Sequence, residues 1–558
     1  MHLADRYTVV FNGEIYNHLD LRRQFALTCT STSDTETLLH LYAQLGGDCL
    51  KHIDGMFAFA IYDRQTRQLF AARDRAGKKP FYYYLKDGSL VFSSELNALA
   101  AVVKPPIDET AINQMLRLGF CPVPTTPYQH VYELPPGSTL QYQAGSAAPQ
   151  VAAWWRMYEQ YQQPSPGSAS EALEMLDSAL HTAVKRRIDA SDLEVGSFLS
   201  GGIDSGIVTA IAAGYKPSLK TFTVSFDGAY DEAPLAATVA SRYGTGHHEI
   251  RINFDDLQQD IEKILFNYGE PFADSSAIPS YYVSREARRH LTVILNGDGG
   301  DELLGGYRRY VPFAAYNFFE TGPVVATAAR VLKKLLPVSH DKQHKYNYLL
   351  RLVQLASKSN LNTYLSATLD IFEDYENAFL IWPTLPELTK QLQAMRNSSL
   401  SGLQQLMLMD FNTILPGDLL VKMDIATMAH SLEGRSPFLA KEMLELAPRL
   451  PDAMKVNGRT TKSALRQLAG RYLPQPLLHQ PKRGFEIPLK KWVDTQLKEP
   501  IADCLLAPNS YASQFVHASF VQALWNRQLT IGDEKRAKML WCLYSLEVWK
   551  KNTSQLYA

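Results

Sequence analysis

The feature that most constrains the fold is a change of pattern near residue 170, after which short apolar segments alternate with longer amphipathic ones. Short apolar runs bounded by turns predict buried strands, and the longer segments between them predict helices. This alternation predicts a parallel sheet with helices on both faces. The predicted strands span 194–199, 219–226, 248–252 and 291–296, and the predicted helices span 171–187, 206–213 and 233–243. Beyond about residue 310 the helical periodicity predicts a mostly helical C-terminal part.

A Ser-Gly-Gly turn at residues 200–202 follows the first of these strands and precedes a helix. Two adjacent glycines let backbone N–H groups point toward one anion, and the helix N-terminus adds positive potential there. Ser200 and Ser205 offer hydroxyl donors, and Asp204 offers a carboxylate for a cation that bridges phosphates. A tight turn with a serine cap would explain the tripeptide alone. Its position at a strand end of a parallel sheet favours a phosphate site, although the sequence is not that of a Walker loop.

A second glycine-rich loop follows the strand predicted at 291–296 and reads Asn296-Gly-Asp-Gly-Gly-Asp-Glu302. Asp298, Asp301 and Glu302 place three carboxylates within five residues. Beside a polyphosphate such acids would repel the anion unless they held a metal or moved protons. A solvated acidic loop is the simpler alternative, and the second glycine loop makes it the less favoured one.

The first 105 residues show a different pattern, with short β-like runs separated by turn residues. The predicted strands span 7–11, 56–62, 69–72, 80–85 and 89–93, and one helix is predicted over 34–45. This pattern predicts an α+β domain rich in antiparallel strands. Residues 106–170 are rich in Pro, Gly, Gln and Ser, which predicts an irregular linker. The predicted organisation is therefore an α+β domain over 1–105, a linker over 106–170, and a domain over 171–550 that contains the predicted phosphate site.

Composition excludes several other classes of protein. The 56 basic and 57 acidic residues leave a formal net charge of -1, which gives no global field for nucleic acid or an anionic membrane. The five cysteines are scattered without C-x-x-C spacing, which argues against a disulfide framework or a zinc site. No uncharged apolar run reaches spanning length. We therefore expect a cytoplasmic protein that binds neither nucleic acid nor membrane.

Taken in order along the chain, the motifs resemble the glutamine-hydrolysing asparagine synthetase family, whose synthetase domain belongs to the ATP pyrophosphatase superfamily. The resemblance extends from Val10 to about Trp492. It is carried by Ser-Gly-Gly-Ile-Asp-Ser at 200–205, Thr-Phe-Thr-Val-Ser-Phe at 221–226, the loop at 295–302, Ser-Leu-Glu-Gly-Arg-Ser-Pro-Phe-Leu at 431–439 and Lys-Arg-Gly-Phe at 482–485. Ala440 departs from the family, which usually has Asp after Pro-Phe-Leu.

The resemblance implies ATP and Mg²⁺ as cofactors and assigns roles to individual residues. Asp204 and Asp301 would hold Mg²⁺, and Asp298 would act as a general base near the intermediate. Lys462 would stabilise charge on the departing pyrophosphate, although its spacing alone would suggest only a solvated helix position. The residues implied to contact ATP or its pyrophosphate are Leu199, Ser200, Gly201, Gly202, Asp204, Ser205, Val224, Asn296 and Gly297.

The N-terminal motif Val-Phe-Asn-Gly-Glu-Ile-Tyr-Asn at 10–17 resembles the glutamine site of class II glutaminases. The resemblance implies an oxyanion hole at Asn12 and Gly13, and a site for the glutamine α-ammonium at Glu14 and Asp34. A hairpin turn is the simpler interpretation of Asn-Gly and is compatible with this role.

The same family uses an N-terminal cysteine whose own amine is the base. In the sequence as written Met1 occupies the start and Cys29 is the nearest thiol. We therefore expect an incomplete glutaminase domain, poorly supported before residue 105 if Met1 is the true start, and the use of free ammonia. A reading frame that begins further upstream is the alternative, which the upstream DNA would test.

The function implied by the resemblance is ATP-dependent amidation of aspartate to asparagine through a β-aspartyl-adenylate. The implied partners are aspartate, ATP and glutamine or ammonia, and a homodimer is left open. An enzyme of the same family could instead amidate a sugar-linked carboxylate, a β-lactam precursor or a peptide. An inactive scaffold would be expected to have lost the loop residues Ser200, Gly201, Gly202, Asp204 or Asp301, all of which are present.

Overall fold

The computed structural model describes residues 1–225, 232–251, 254–336, 345–368, 370–396, 399–478 and 487–557. The N-terminal part contains two antiparallel sheets and short helices. Its elements are β1 (His2–Leu3), β2 (Tyr7–Ile15), α1 (His18–Gln24), α2 (Asp34–Leu45), β3 (Gly55–Asp63), β4 (Gln68–Arg73), β5 (Tyr82–Lys86), β6 (Ser89–Ser93), α3 (Leu96–Val103), α4 (Glu109–Leu118), β7 (Val131–Glu133), β8 (Ser138–Gln143), β9 (Gln150–Ala153) and α5 (Met157–Tyr161).

The two N-terminal sheets pack face to face. The larger has the strand order β1-β2-β3-β4-β8-β9, and the smaller has the order β6-β5-β7. Small residues of β3 and β4, including Ala58, Ala60 and Ala71, meet Phe81 and Tyr83 between the sheets. The opposite face of the larger sheet packs against α1 and α2. The predicted α+β domain rich in antiparallel strands is confirmed.

The prediction of an irregular linker over residues 106–170 is wrong, because this segment contains regular secondary structure. This segment contains α4, β7, β8, β9 and α5, and β8 pairs with β4 while β7 pairs with β5. Along β8, Ser138, Leu140 and Tyr142 are buried and alternate with exposed polar residues. The prolines and glycines lie in the turns between short strands. The composition of the whole segment therefore predicted a linker, although β8 alternates between buried and exposed residues.

The Asn12-Gly13 pair does not form a hairpin turn. It lies inside β2, which pairs with β3 along its whole length, with Asn12 opposite Ala58 and Gly13 opposite Phe57. Val10 on the same strand is 60% exposed although its partner Ala60 is buried. The small second sheet therefore leaves part of this face uncovered, and the incompleteness of the domain remains a prediction.

The second part of the chain begins with a parallel sheet flanked by helices. Its elements are α6 (Ala169–Asp189), β10 (Val195–Phe198), α7 (Ile203–Tyr215), β11 (Lys220–Ser225), α8 (Ala233–Tyr243), β12 (Gly246–Arg251), α9 (Phe254–Phe266), α10 (Ala277–Arg288) and β13 (Val293–Leu295). These strands have the order β12-β11-β10-β13, and all their pairings are parallel. The predicted parallel sheet is confirmed.

The remainder is mostly helical, as predicted, and it also contributes one strand to the sheet. Its elements are α11 (Gly300–Leu304), α12 (Tyr310–Ala315), α13 (Pro323–Leu335), α14 (Lys345–Ser357), α15 (Leu361–Thr368), α16 (Pro386–Arg396), α17 (Gly402–Asn412), α18 (Leu420–Met428), β14 (Glu433–Arg435), α19 (Lys441–Leu446), α20 (Asp452–Lys455), β15 (Val456–Asn457), β16 (Thr460–Thr461), α21 (Ser463–Ala469), α22 (Gln475–Leu478), α23 (Leu489–Asp494), α24 (Lys498–Leu505), α25 (Ala518–Trp525) and α26 (Asp533–Tyr557). None of the described helices is both long and apolar enough to cross a membrane.

Strand β14 pairs in parallel with β13 at the edge of the sheet, and the sequence analysis did not predict it. Its three residues, Glu-Gly-Arg, carry no apolar alternation, and their partner lies far away along the chain. The pairing places Arg435 beside Leu295, immediately before the second glycine loop. A strand contributed by the helical part therefore borders the candidate site.

Candidate active site

The Ser-Gly-Gly turn connects β10 to α7 at the carboxyl edge of the parallel sheet. Gly201 has φ +71°, and a Cβ there would lie 2.7 Å from the backbone oxygen of Glu232, so only glycine fits without strain. The Ser200 backbone N–H donates to Ser205 Oγ over 3.1 Å, and the two serine hydroxyls lie 3.0 Å apart. The serines thus close the turn directly before the N-terminus of α7.

The second glycine loop lies against the first. A Cβ on Gly297 would lie 3.0 Å from Asp204 Cβ, and one on Gly300 would lie 2.9 Å from Asp204 Cγ. Strands β10 and β13 are parallel neighbours, so the loops that follow them meet at the same edge of the sheet. The glycines are needed here because any side chain would push the loops apart.

Lys462 connects the acidic residues of the two loops. Its Nζ forms an ion pair with Asp204 Oδ2 and lies 2.6 Å from Asp301 Oδ1. Lys462 has φ +53° immediately before α21, and its N–H donates to the oxygen of Gly305 over 3.2 Å. The Lys462 side chain is 5% exposed, and the side chains of Asp204 and Asp301 are 14% and 12% exposed, so the cluster is largely shielded from water.

The chemistry of this cluster fits a magnesium ion bound to phosphates. Asp204 Oδ1 is buried and has no hydrogen-bond partner among the described residues. An unused carboxylate oxygen beside a second carboxylate is the donor set that Mg²⁺ takes together with phosphate oxygens. Asp204 and Asp301 would therefore hold the ion, and Lys462 would contact the phosphates.

Glu302 follows Asp301 but points into the protein interior. It is 3% exposed and accepts a hydrogen bond from the Tyr307 hydroxyl. Burial, aided by the charge of Asp301, raises the pKa of Glu302 above its usual value. Glu302 therefore anchors the loop to the protein interior through Tyr307, whereas Asp301 faces Lys462.

Asp298 lies at the edge of the second loop and remains partly accessible, with 21% of its side chain exposed. Its Oδ2 accepts a hydrogen bond of 2.7 Å from Asn296 Nδ2. The Asn296 backbone N–H in turn donates to the oxygen of Arg435 over 2.9 Å, which ties the loop to β14. Lys78 of the N-terminal part brings its Nζ to 3.6 Å from the same Asp298 oxygen.

A cluster near Asp298 was not recognised in the sequence. Lys422 Nζ donates to Asp274 Oδ2 and to Ser276 Oγ, both over 2.9 Å. Burial alone would lower the pKa of Lys422, but Asp274 and Asp418 raise it above its usual value, and Asp298 adds to this effect. Asp274 precedes α10 and Lys422 lies in α18, so only their packing brings them together. The Asp-Ser-Ser sequence before a helix was the available signal, and it indicates only a cap.

Two of the residues predicted to contact the nucleotide are buried in the core. The side chain of Leu199 is fully buried, and its N–H donates to the oxygen of Phe222 over 2.9 Å. Val224 packs with Phe222 and Ile294 in an apolar cluster beside the sheet. Their contact with ATP remains a prediction. Phe226 and the predicted motif at 482–485 lie outside the described residues.

The four residues of the predicted glutamine site lie together on β2 and at the start of α2. A Cβ on Gly13 would lie 2.1 Å from the Met56 oxygen, so β3 packs directly against it. Asp34 Oδ2 accepts the Ile15 N–H over 2.9 Å and thereby holds α2 against β2. Asn12 lies on β2 next to Gly13, and its role as an oxyanion donor remains a prediction.

Glu14 faces the second part of the chain. Its Oε2 lies 3.4 Å from Arg435 Nη2, and Arg435 is 2% exposed. Burial raises the pKa of Glu14 to about 8, and the charge of Arg435 only partly opposes this effect. The candidate glutamine site therefore touches the strand that borders the nucleotide loop.

Comparisons with known proteins match both parts of the chain. A family model described as asparagine synthase matches residues 175–551, and one described as glutamine amidotransferase domain matches residues 1–155. The second match extends past residue 105, in line with the strands found in that segment.

Three curated proteins illustrate the similarity. Asparagine synthetase (glutamine-hydrolyzing) 1 of Bacillus subtilis is 30% identical over 556 residues, which cover 98% of this chain and 85% of that protein. A putative asparagine synthetase (glutamine-hydrolyzing) of Mycobacterium tuberculosis is 32% identical, covering 88% of this chain and 76% of that protein. A putative asparagine synthetase (glutamine-hydrolyzing) 2 of Methanocaldococcus jannaschii is 36% identical, covering 62% and 67% respectively.

Proposed function

Because this chain belongs to the asparagine synthase family, and is thus a ligase that forms a C–N bond, we propose that it converts aspartate to asparagine through a β-aspartyl-adenylate. The observation that carries the proposal is the contact between the two glycine loops, where Lys462 joins Asp204 and Asp301. A phosphate-binding turn, a pair of carboxylates for Mg²⁺ and a buried ammonium together suit the cleavage of ATP to AMP and pyrophosphate.

In the proposed first step, an oxygen of the aspartate β-carboxylate attacks the α-phosphorus of ATP. The bond from the α-phosphorus to the bridging oxygen breaks, and pyrophosphate leaves with the electron pair. The turn at 200–202 and Lys462 stabilise the negative charge that grows on this leaving group. Bound at Asp204 and Asp301, Mg²⁺ would supply additional positive charge at the phosphates.

In the second step, ammonia attacks the acyl carbon of the adenylate. The bond from that carbon to the AMP oxygen breaks, and AMP leaves with the electron pair. Asp298 accepts the proton that the attacking nitrogen loses. Asn296 holds the receiving carboxylate in place through its hydrogen bond of 2.7 Å.

We propose free ammonia as the nitrogen donor, because the environment of the cysteines disfavours their thiolate form. Burial raises the pKa of Cys49 to about 12 and raises the pKa values of Cys29, Cys121, Cys504 and Cys542 above their usual value. A thiol with a raised pKa is a poor nucleophile at neutral pH. A homodimer and a cytoplasmic location remain predictions.

The function can be tested by measuring pyrophosphate release from ATP and Mg²⁺ with ammonium chloride and a panel of carboxylates. The panel should contain aspartate, glutamate, succinate and an N-acylated aspartate. We expect release to require aspartate and to yield asparagine and AMP in equal amounts. Release with another carboxylate but not with aspartate would contradict the proposed acceptor, and release of ADP with phosphate would contradict the proposed bond cleavage.

The nitrogen donor is tested in the same assay with glutamine in place of ammonium. We expect asparagine formation to fall to background, with no glutamate released. Glutamate formation by the purified polypeptide would refute the proposal of ammonia dependence while leaving the synthetase reaction standing.

A further inference from the structure

A lysine of the N-terminal part reaches into the synthetase site. Lys78 lies in the loop between β4 and β5, its side chain is 4% exposed, and its Nζ lies 3.6 Å from Asp298 Oδ2. Within the described parts of the chain this Nζ has no hydrogen-bond partner. An ammonium group buried with its donors unused is costly, which points to a ligand that completes its contacts.

The loop that carries Lys78 is held rigidly. Asp74 accepts the backbone N–H groups of Ala76, Lys78 and Lys79 over 2.9 to 3.1 Å. Arg73 donates from its guanidinium to the Gly77 and Lys79 oxygens over 2.9 and 2.8 Å. These bonds fix the backbone on both sides of Lys78. The rigid backbone and the burial of the side chain therefore define the position of the Lys78 ammonium group.

The neighbouring lysines are already engaged. Lys79 Nζ donates to Asp424 of α18 over 2.7 Å, which joins the two parts of the chain. Lys422 is bound to Asp274 and Ser276, and Lys462 is bound to Asp204 and Asp301. Lys78 thus differs from the lysines around it, because its ammonium faces Asp298 at a distance slightly too long for a hydrogen bond.

We propose that Lys78 binds the α-carboxylate of the acceptor, and this inference rests on the proposed function. An amino dicarboxylic acid activated at its side chain still carries an α-carboxylate that must be neutralised inside the protein. The Lys78 ammonium group lies beside Asp298, and its N–H groups make no hydrogen bond to the described residues. The acceptor pocket is then complete only when the N-terminal part is docked on the synthetase part.

The test compares wild type with Lys78→Met, which keeps the length of the side chain and removes its charge, and with Lys78→Arg. Ammonia-dependent pyrophosphate release gives KM for aspartate and ATP separately. We expect Lys78→Met to raise KM for aspartate by about 30-fold or more, as for the loss of one partner of a buried charge pair, with KM for ATP changed less than about threefold. Lys78→Arg should recover most of the loss. Lys51→Met, on the exposed surface of the same part, is the matched control.

A second acceptor distinguishes binding of the α-carboxylate by Lys78 from positioning of Asp298 by Lys78. 3-Aminopropanoate retains the carboxylate to be activated but lacks the α-carboxylate. We expect Lys78→Met to leave kcat/KM for this acceptor within about threefold of wild type, because the interaction it removes is absent there. An equal decrease in kcat/KM for both acceptors, or an unchanged KM for aspartate, would overturn the inference. A wild-type protein that releases no pyrophosphate with aspartate would instead overturn the proposed function and this inference with it.

Discussion

The two candidate sites of this chain surround their acidic residues differently. In the nucleotide site, Lys462 lies 2.6 Å from Asp301 and also pairs with Asp204. In the glutamine motif, Arg435 lies 3.4 Å from Glu14, and its guanidinium is already engaged with Glu433 over 2.6 Å. Lys462 contacts both carboxylates of its cluster directly, whereas Arg435 lies farther from Glu14 and only partly opposes the burial that raises the pKa of Glu14.

This difference indicates what each site needs from its ligand. In the nucleotide site, side chains of the chain itself place an ammonium group against two carboxylates, so the electrostatics of the site are preorganised. Burial raises the pKa of Glu14 to about 8, so this group is mostly neutral at pH 7. A cationic ligand such as an α-ammonium would be needed to stabilise its ionised form.

The largest effect is expected for Lys462→Met. The change leaves Asp204 and Asp301 without their shared cation and removes the ammonium that would face the leaving group. We expect the rate of pyrophosphate release to fall by about 10²- to 10³-fold, as for the loss of one preorganised charge-stabilising group. Lys491→Met, at an exposed position of α23, should change the rate less than about twofold. Near wild-type pyrophosphate release by Lys462→Met would contradict the conclusion that Lys462 organises the charges of the nucleotide site.

Gly306→Ala tests whether the packing behind this cluster matters. A Cβ at Gly306 would lie 1.7 Å from Asp301 Oδ1 and 2.3 Å from Lys462 Cε, so the ion pair must move. We expect pyrophosphate release to fall by about 10- to 100-fold, since small displacements of catalytic groups have effects of this size. Gly322→Ala is the matched control, because a Cβ there meets nothing within 4 Å. Similar rates for the two variants would show that the cluster tolerates displacement.

Arg435→Met removes the cation that links the two sites. It leaves Glu433 without its ion-pair partner and also breaks a 2.7 Å hydrogen bond to the Arg187 oxygen. Loss of one partner from a buried ion pair destabilises by about 3–5 kcal/mol, so we expect Tm to fall by about 5 °C or more. Arg289→Met, in an exposed pair with Glu286, should shift Tm by less than about 1 °C. An unchanged Tm for Arg435→Met would mean that Arg435 makes no net contribution there.

The smallest effect is expected for Glu14→Gln and depends on pH. Because the folded pKa of Glu14 is raised to about 8 from 4.5, its protonated form stabilises the fold. That stability is fully present below pH 4.5 and is lost as the pH rises through about 8. The amide stays neutral, so Glu14→Gln should unfold about 2–5 °C above wild type at pH 8.5 and close to it at pH 5.

Thermal unfolding followed by fluorescence across this pH range measures the difference. Glu499→Gln, the same substitution at an exposed position of α24, provides the control. A difference between Glu14→Gln and wild type that does not depend on pH would show that the pKa of Glu14 is not raised, which would remove the contrast between the two sites.

The sequence by itself determined the elements that depend on neighbouring residues. Helix α2 and strand β6 have their predicted bounds, and the Ser-Gly-Gly turn connects a strand to a helix as its glycines require. The convergence of this turn with the loop at 297–302 could also be predicted, because loops after neighbouring parallel strands meet at one edge. Lys462 was found only through the resemblance, since its spacing suggested an ordinary helix position.

Only the tertiary structure decided which distant side chains meet. The contact of Lys78 with Asp298, the Lys422–Asp274 pair and the Glu14–Arg435 pair each join residues far apart along the chain. The short strands β7, β8 and β14 likewise exist because partner strands are available to accept their hydrogen bonds. Local sequence specifies backbone preferences within a few residues, whereas burial and charge at these sites arise only when separate segments pack together and exclude water.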